Sequence, residues 1–398
     1  MAHTQIWQTG DSKLNPLVEA YTVGDDYILD ARLAKYDVKA SLAHAKMLHS
    51  MGVLSDSDIS SIEEGLAKLS KQIDNNEFSI EQSQEDCHTA IEEYLTENYG
   101  DVGKKIHTGR SRNDQSMVMI RLYMKDILDE TQDVLIRLVK AYDESSNKYS
   151  DLAMPGYTHM QKAMPTTVAV WLGAYKDGFS DVSVLINGAK DYIDQNPLGS
   201  ASGFGISNFA MDRNITTSDL SFAKTQENPM YCGYSRGLFE NVVLQALSPA
   251  MIIAGKFAND MLLFSTSDFD FVSLPAEFTT GSSIMPQKRN YDVFEVMRGN
   301  TKVYHSLQQQ IQDIILGIGG GYQRDLQLTK RPFIQAVELC KQTLDLLALM
   351  VPKIEVNKEK LASAMTDDLF VTNKVYDLVN SGMSFRDAYV KVKQEYFS

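Results

Sequence analysis

The 398 residues suffice for roughly two or three domains of about 100 to 200 residues each. Apolar residues make up 43% and charged residues 23%, which excludes a disordered, collagen-like or membrane-embedded chain. Against 38 Lys and Arg stand 52 Asp and Glu, a net charge of −14 that repels phosphate backbones. Nucleic acid and anionic membranes are therefore not expected partners, and an anionic ligand needs a local basic pocket.

Cys87, Cys232 and Cys340 are far apart and form no CxxC pair, so neither a disulfide framework nor a structural zinc site is expected and the compartment reads as reducing. The opening MAHTQIWQTG lacks the basic and then apolar regions of a signal peptide, and no run offers about 18 uninterrupted apolar residues. The expected location is cytoplasmic.

In chain order, apolar residues recur at three and four rather than two, and Pro and Gly cluster where the chain turns, leaving long proline-free stretches, so the chain reads as mostly helix and all-α. Shorter helices are predicted over 27–51, over 55–74 behind a Ser-x-x-Asp cap, and over 84–98. The run 116–151 has no Gly or Pro and carries Met117, Ile120, Met124, Leu128, Leu135 and Tyr142 on one stripe. A straight helix of that length spans roughly 54 Å, and its methionines are expected to be core. Long helices are also predicted over 166–195, 235–264 with a kink at Pro249, and 291–316, and a last helix runs from a Ser384 cap to 396. Such helices need partners along their whole length, which a bundle supplies. The expected organisation is a small helical domain over 1–106, a long central bundle over 107–355 and a short helical domain over 356–398. No βαβ alternation or internal repeat supports a Rossmann or barrel fold.

Three polar segments stand between the helices: HTGRSRNDQ over 107–115, MPGYTHMQ over 154–161 and GSSIMPQKRN over 281–290. Each precedes a predicted long helix, whose free N–H groups and dipole favour an anion, with a carboxylate the expected kind. Arg110, Arg112, Lys288 and Arg289 add concentrated positive charge to an acidic chain. Plainer roles exist for each segment. Ser111 and Asn113 read equally as helix caps, His159 as a structural histidine, and Ser282 and Ser283 as loop. No HExxH, P-loop, GxSxG or strand-borne GxGxxG is present. His44 and His49, five apart, suit no shared metal and are expected at the surface. No metal is expected.

Taken together in this order and spacing, the three segments resemble the fumarase/aspartase superfamily, whose hallmark loop is here GSSIMPQKRN. Within it, HTGRSRNDQ and MPGYTHMQ are similar to argininosuccinate lyases, as are DARL from Asp30, EDCH from Glu85, NPLG from Asn196 and GYQRDLQ from Gly321 with Lys330. The resemblance spans almost the whole chain. It implies a long helical bundle, a homotetramer with shared active sites, a small-molecule substrate and a cofactor-free, reversible cleavage of argininosuccinate to arginine and fumarate, as in arginine biosynthesis. It also implies that Ser282 and His159 form an acid–base pair, with Ser282 favoured as base, His159 on the leaving-guanidine side and Glu295 as partner of His159. Lys288 and Asn290 would steady the developing aci-carboxylate. Substrate binding falls by the same resemblance to Ser111, Arg112, Asn113, Thr158, Arg236, Tyr322, Gln327 and Lys330, with Asp26 at the amino-acid end. The chain departs from the pattern at Tyr291, where a proline is usual, at Asp26, where serine is common, and in a short stretch after Ser384. Alternative readings are another fumarate-releasing lyase such as one acting on adenylosuccinate, or a non-catalytic protein like the delta-crystallins.

Overall fold

A computed structural model describes residues 14–397. The MAHTQIWQTG segment, read above as no signal peptide, lies outside them. The described chain is all-α in character, with fifteen α-helices and three two-stranded sheets.

The helices up to the first sheet are α1 (Pro16–Val23), α2 (Asp26–Ser50), α3 (Asp56–Asp74), α4 (Cys87–Tyr99), α5 (Asp101–Lys105) and α6 (Arg112–Lys148). Strands β1 (Ala153–Thr158) and β2 (Gln161–Thr167) then form an antiparallel hairpin, followed by α7 (Val168–Ile193). Next come β3 (Gln195–Asn196), α8 (Arg213–Asp219), β4 (Lys224–Thr225), α9 (Pro229–Ser235) and α10 (Leu238–Phe264). The remainder is β5 (Val272–Ser273), α11 (Asp292–Ile315), α12 (Lys330–Met350), β6 (Glu355–Val356), α13 (Lys358–Ala364), α14 (Val371–Asn380) and α15 (Phe385–Phe397).

The predicted long helices are present, with ends displaced by a few residues. Helix α6 begins at Arg112 rather than 116 because Ser111 and Asp114 cap it: Asn113 N donates to Ser111 Oγ at 3.3 Å and Ser111 N to Asp114 Oδ1 at 2.9 Å. The Ser55 box of α3 is formed reciprocally with Asp58, and Ser384 Oγ accepts from Asp387 N at 3.2 Å. Helix α10 continues through Pro249. It is long and apolar enough to cross a membrane, but 56% of its most apolar window is buried within the protein, which accounts for the composition as core. Helix α12 was not anticipated, nor was the hairpin, whose Pro155, Gly156 and Pro165 argue only against helix. Pro155 faces Pro165 across the ladder, and Gly156 sits in the adjoining bulge, where a Cβ would come within 2.9 Å of the Met164 carbonyl.

The residues form two compact units: the chain through Leu128 with Ala189–Val243 and Gln308–Ile334, and Asp129–Gly188 with Leu244–Leu307 and the chain from Gln335. Each boundary falls within one of the long helices.

In the first unit, α2 buries Leu33, Asp37, Ala40, His44 and Met47, a stripe of alternating four and three. His44 therefore does not lie at the surface as expected. It is fully buried, and its Nε2 lies 2.8 Å from the Thr108 carbonyl; burial, then the neighbouring Arg110, holds its pKa well below the usual value. His49 is partly exposed beside Asp56. Buried Arg121 of α6 ties three parts of the unit together. It donates to the Gln195 carbonyl (2.6 Å), Gln226 Oε1 (2.8 Å) and Ser235 Oγ (2.7 Å), with its guanidinium 4.2 Å from the Phe239 ring centre. Burial lowers its pKa to about 10.

The second unit is centred on Phe257, whose ring meets Tyr142, Trp171, Tyr175 and Phe294 at centroid distances of 5.0 to 6.1 Å. Replacing Phe257 by Ala should cost about 3 to 5 kcal/mol, because four rings lose a shared neighbour in a fully buried site. Denaturant titration of wild type and F257A checks this, and a loss under about 1 kcal/mol would mean that the cluster collapses freely into the gap.

Candidate active site

Within the first unit a cavity of about 160 Å³ opens between α2, α4, the start of α6 and the segment 322–330. Seven of the residues singled out from sequence line it: Asp26, Arg112, Asn113, Arg236, Tyr322, Gln327 and Lys330. Ser111 lies beside them as the cap of α6.

Local structure explains each position. Helix α1 ends at Gly24, whose φ of 58° lets the chain reverse into α2, and Asp26 is thereby placed in the first turn of α2. Lys330 opens α12, and its side chain is only 3% exposed. Its Nζ meets Asp30 Oδ1 at 2.5 Å and Asp26 Oδ1 at 3.1 Å. Burial alone would lower the ammonium's pKa; Asp30 and Asp26 together outweigh it and leave the pKa raised. Asp26 in turn has a raised pKa, because its own burial outweighs the attraction of Lys330.

Arg112 projects from the first turn of α6 onto the start of α4. It pairs with Glu85 at 2.7 Å and Asp86 at 3.4 Å and donates to Thr89 Oγ1 at 2.7 Å. Arg236 follows α9, and its guanidinium lies 5.2 Å from the Tyr322 ring centre while its buried Nε has no hydrogen-bond partner. Gln327 donates to the carbonyls of Thr22 and Val23 at 3.1 and 3.2 Å, so it fixes the end of α1 as well as the cavity wall.

Sequence reasoning gave no role to Asp30, Glu85, Asp86, His88 or Arg324, which also line the cavity, although DARL and EDCH contain the first four of them as part of a pattern. His88 Nδ1 lies 3.0 Å from buried Asp37; burial opposes protonation, yet Asp37 prevails and the pKa is raised. Asp30, Cys87 and His88 bring a carboxylate oxygen, a sulfur and a ring nitrogen within 4.8 Å of one another. Lys330 already neutralises that carboxylate, and burial, followed by Asp30, holds the Cys87 thiol far above its usual pKa. The donors therefore fit a proton-bearing network better than a cation centre.

The other sequence candidates belong to the second unit. Thr158 ends β1, and His159 and Met160 form the hairpin tip with φ of 53° and 61°, left-handed values that disfavour side chains. All three are exposed. The segment 280–290 is closed by paired backbone hydrogen bonds between Thr280 and Asn290, at 3.0 and 2.9 Å. Within it Ser282 Oγ accepts from the N–H groups of Ile284 (3.2 Å) and Met285 (3.0 Å). Lys288 is exposed, Asn290 half-buried, and Glu295 is exposed in the first turn of α11. Tyr291 stacks on Phe294, with centroids 6.4 Å apart, where a proline would offer no such ring.

Substituting Lys330 by Met should destabilise the chain by about 3 to 5 kcal/mol at pH 8, since Asp26 and Asp30 would be left buried without their counter-charge. Carboxylates left in that state have folded pKa values above their unfolded ones, so the folded chain binds protons first and stability should recover as the pH falls from 8 toward 5. Urea titration of K330M at both pH values tests this. A deficit that does not shrink at pH 5 would show that the ammonium is not the counter-charge.

A family described as lyase matches residues 12–303. An argininosuccinate lyase of Thermotoga neapolitana is 40% identical over 98% of this chain and 98% of its own length, and one of Phocaeicola vulgatus is 40% identical over 98% and 86%. Among solved structures, a class II fumarase of Schistosoma mansoni aligns with a TM-score of 0.78 at 16% identity, covering 94% of this chain and 91% of that one. An EDDS lyase in complex with formate aligns with a TM-score of 0.74 at 23% identity, covering 97% and 76%. These structures share the fold. With the motifs, the helical architecture and relatives of this identity over nearly its whole length, the chain belongs to the argininosuccinate lyase family of the fumarase/aspartase superfamily.

Proposed function

We propose that this protein catalyses the reversible elimination of argininosuccinate to L-arginine and fumarate in arginine biosynthesis, in the cytoplasm. The observation that carries the reading is the cavity. It sets Arg112, Arg236 and Lys330 among Asp26, Asp30 and Glu85, a lining suited to a small ligand with both carboxylates and cationic nitrogens.

In the proposed reaction Ser282 removes a proton from the carbon beside a succinyl carboxylate. That electron pair forms the C=C bond of fumarate, the C–N bond breaks, and its pair remains on the guanidine nitrogen, which takes a proton from His159. Two N–H donors on Ser282 Oγ favour negative charge on that oxygen, which an unassisted hydroxyl would not bear. His159 at a strained hairpin tip fits a side chain held out for chemistry rather than packing. Glu295 would support the basicity of His159, while Lys288 and Asn290 steady the aci-carboxylate. Ser111, Asn113, Thr158, Tyr322 and Gln327 complete substrate binding. Asp26 brings a second acid to Lys330 and would receive a cationic nitrogen of the amino-acid end.

His159 is exposed and Ser282 only half-buried on their own unit, which fits an active site completed by other subunits of a homotetramer. The tests follow directly. Purified protein offered argininosuccinate, adenylosuccinate, malate and aspartate in turn should release fumarate, followed by ultraviolet absorbance, from argininosuccinate alone; release from adenylosuccinate instead would reassign the substrate. S282A and H159N should each lose about 10² to 10⁴ in turnover. Mixed tetramers of the two variants, verified by native mass spectrometry, should recover part of the activity, and no recovery would place both residues in one subunit.

A further inference from the structure

Asp114 is the third residue of the capped helix α6, yet its carboxylate does more than cap. It is fully buried, and three backbone N–H groups converge on it: Ser111 on Oδ1 at 2.9 Å, Gly199 and Ala201 on Oδ2 at 2.9 and 3.0 Å. The first of these closes the capping box of α6. The other two reach 85 and 87 residues along the chain, into a loop held in left-handed conformations at Gly199 (φ 86°), Ala201 (φ 53°) and Gly203 (φ 98°). Ser202 and Gly203 of that loop line a small recess with Asn113, Arg236 and Tyr322, the last three shared with the main cavity.

We infer that Asp114 is a positioning residue for this active site: one carboxylate holds the Arg112–Asn113 turn and the 199–203 loop in register, so that Asn113 and the recess wall meet the amino-acid end of the substrate together. The inference rests on the argininosuccinate lyase reading for its ligand, although not for its geometry. Only a carboxylate suits the position. An amide, or a protonated acid, presents a donor to at least one of three donors and so loosens either the cap or the loop.

The group is set to respond to pH. Burial raises its pKa to about 6 against the pull of the three N–H groups and of Arg110. The loop presents backbone N–H groups to it, and its charged neighbour is Arg110, which is itself bonded to Ser41 of α2 and attracted by Asp37 of α2 and Glu92 of α4. Because the folded pKa lies above the unfolded value, protonation between pH 4 and 6 does not draw stability from the fold through this group. What is lost is alignment, so activity and stability should part company as the pH falls. A purely structural carboxylate would not produce that separation.

The experiment begins with wild-type turnover of argininosuccinate at pH 7.5, where absence of turnover would sink the functional reading alone. D114N should then raise KM by about 10- to 100-fold with a smaller change in kcat, as expected for misplaced binding groups. Its kcat/KM should lack the inflection near pH 6 expected of the wild type. A D114N enzyme with wild-type KM and the same acid limb overturns the inference. Should D114N fail to fold, wild-type amide exchange decides without any activity. Protection factors of Gly199 and Ala201, corrected for intrinsic rates, should fall about tenfold between pH 7.5 and 5.0 as their acceptor is protonated, while the thermal midpoint does not fall in parallel. Unchanged protection at both amides overturns the proposal.

Discussion

Taking the Lys330 ammonium out of water costs several kcal/mol unless carboxylates surround it, and the first unit is arranged around that requirement. Asp30 and Asp26 stand one helical turn apart on α2, so a single helix face delivers both counter-charges to one cation. Asp30 also accepts from the backbone N–H of Cys87, which brings the start of α4 to the same point. Gln327, one turn before Lys330, ties back to the end of α1. Four stretches of sequence, separated by up to 305 residues, are thus fixed by one buried charge, its ligands and the neighbouring Gln327, and the cavity is the space they enclose.

A second set of constraints acts at the start of α6. The residues that cap this helix are neighbours of those that line the cavity, because Ser111 and Asp114 bracket Arg112 and Asn113. Capping fixes where the helix begins, and the helix periodicity then decides which way the two side chains between the caps project. Structural and binding roles are therefore not alternatives at this turn. The cap is what gives the binding residues a direction, and Arg121, two turns further on, anchors α6 to the segment that ends in Arg236.

The sequence was legible where the physics is local. Long apolar stripes at helical spacing specify α6, α7 and α11 to within a few residues, and Ser55 with Asp58 announces a cap that forms. The lining residues Arg112, Asn113, Arg236, Tyr322, Gln327 and Lys330 were named from motif likeness and meet in one cavity. What escaped depends on tertiary partners. His44 carries no local sign of burial, because its partner is a carbonyl 64 residues away. The hairpin over 153–167 is too rich in proline to read as strand, and its pairing is set by Pro155 opposite Pro165 and a bulge at Gly156. Asp114 satisfies a cap motif by itself, so nothing in its neighbours reveals that its second oxygen serves a distant loop.

Charge placement, rather than net charge, decides what the cavity accepts. The chain carries −14 overall, yet Asp26, Asp30, Glu85 and Asp86 on the cavity wall face Arg112, Arg236, Arg324 and Lys330, four acids against four bases. These are not interleaved at random. Arg112 is held by Glu85 and Asp86 at one side, while Lys330 is held by Asp30 and Asp26 at another. Among the described residues no carboxylate is in hydrogen-bond contact with Arg236, and its Nε is buried and unpartnered. Leaving a buried donor unpaired is costly, so a ligand oxygen reaching Arg236 gains more than one reaching a cation already satisfied by the protein. A compact dianion such as fumarate would have to compete with four wall carboxylates for every cation. A longer ligand whose positive and negative groups alternate along its length can pair with both sets, which is the charge pattern of an amino acid joined through a guanidinium to a succinyl group.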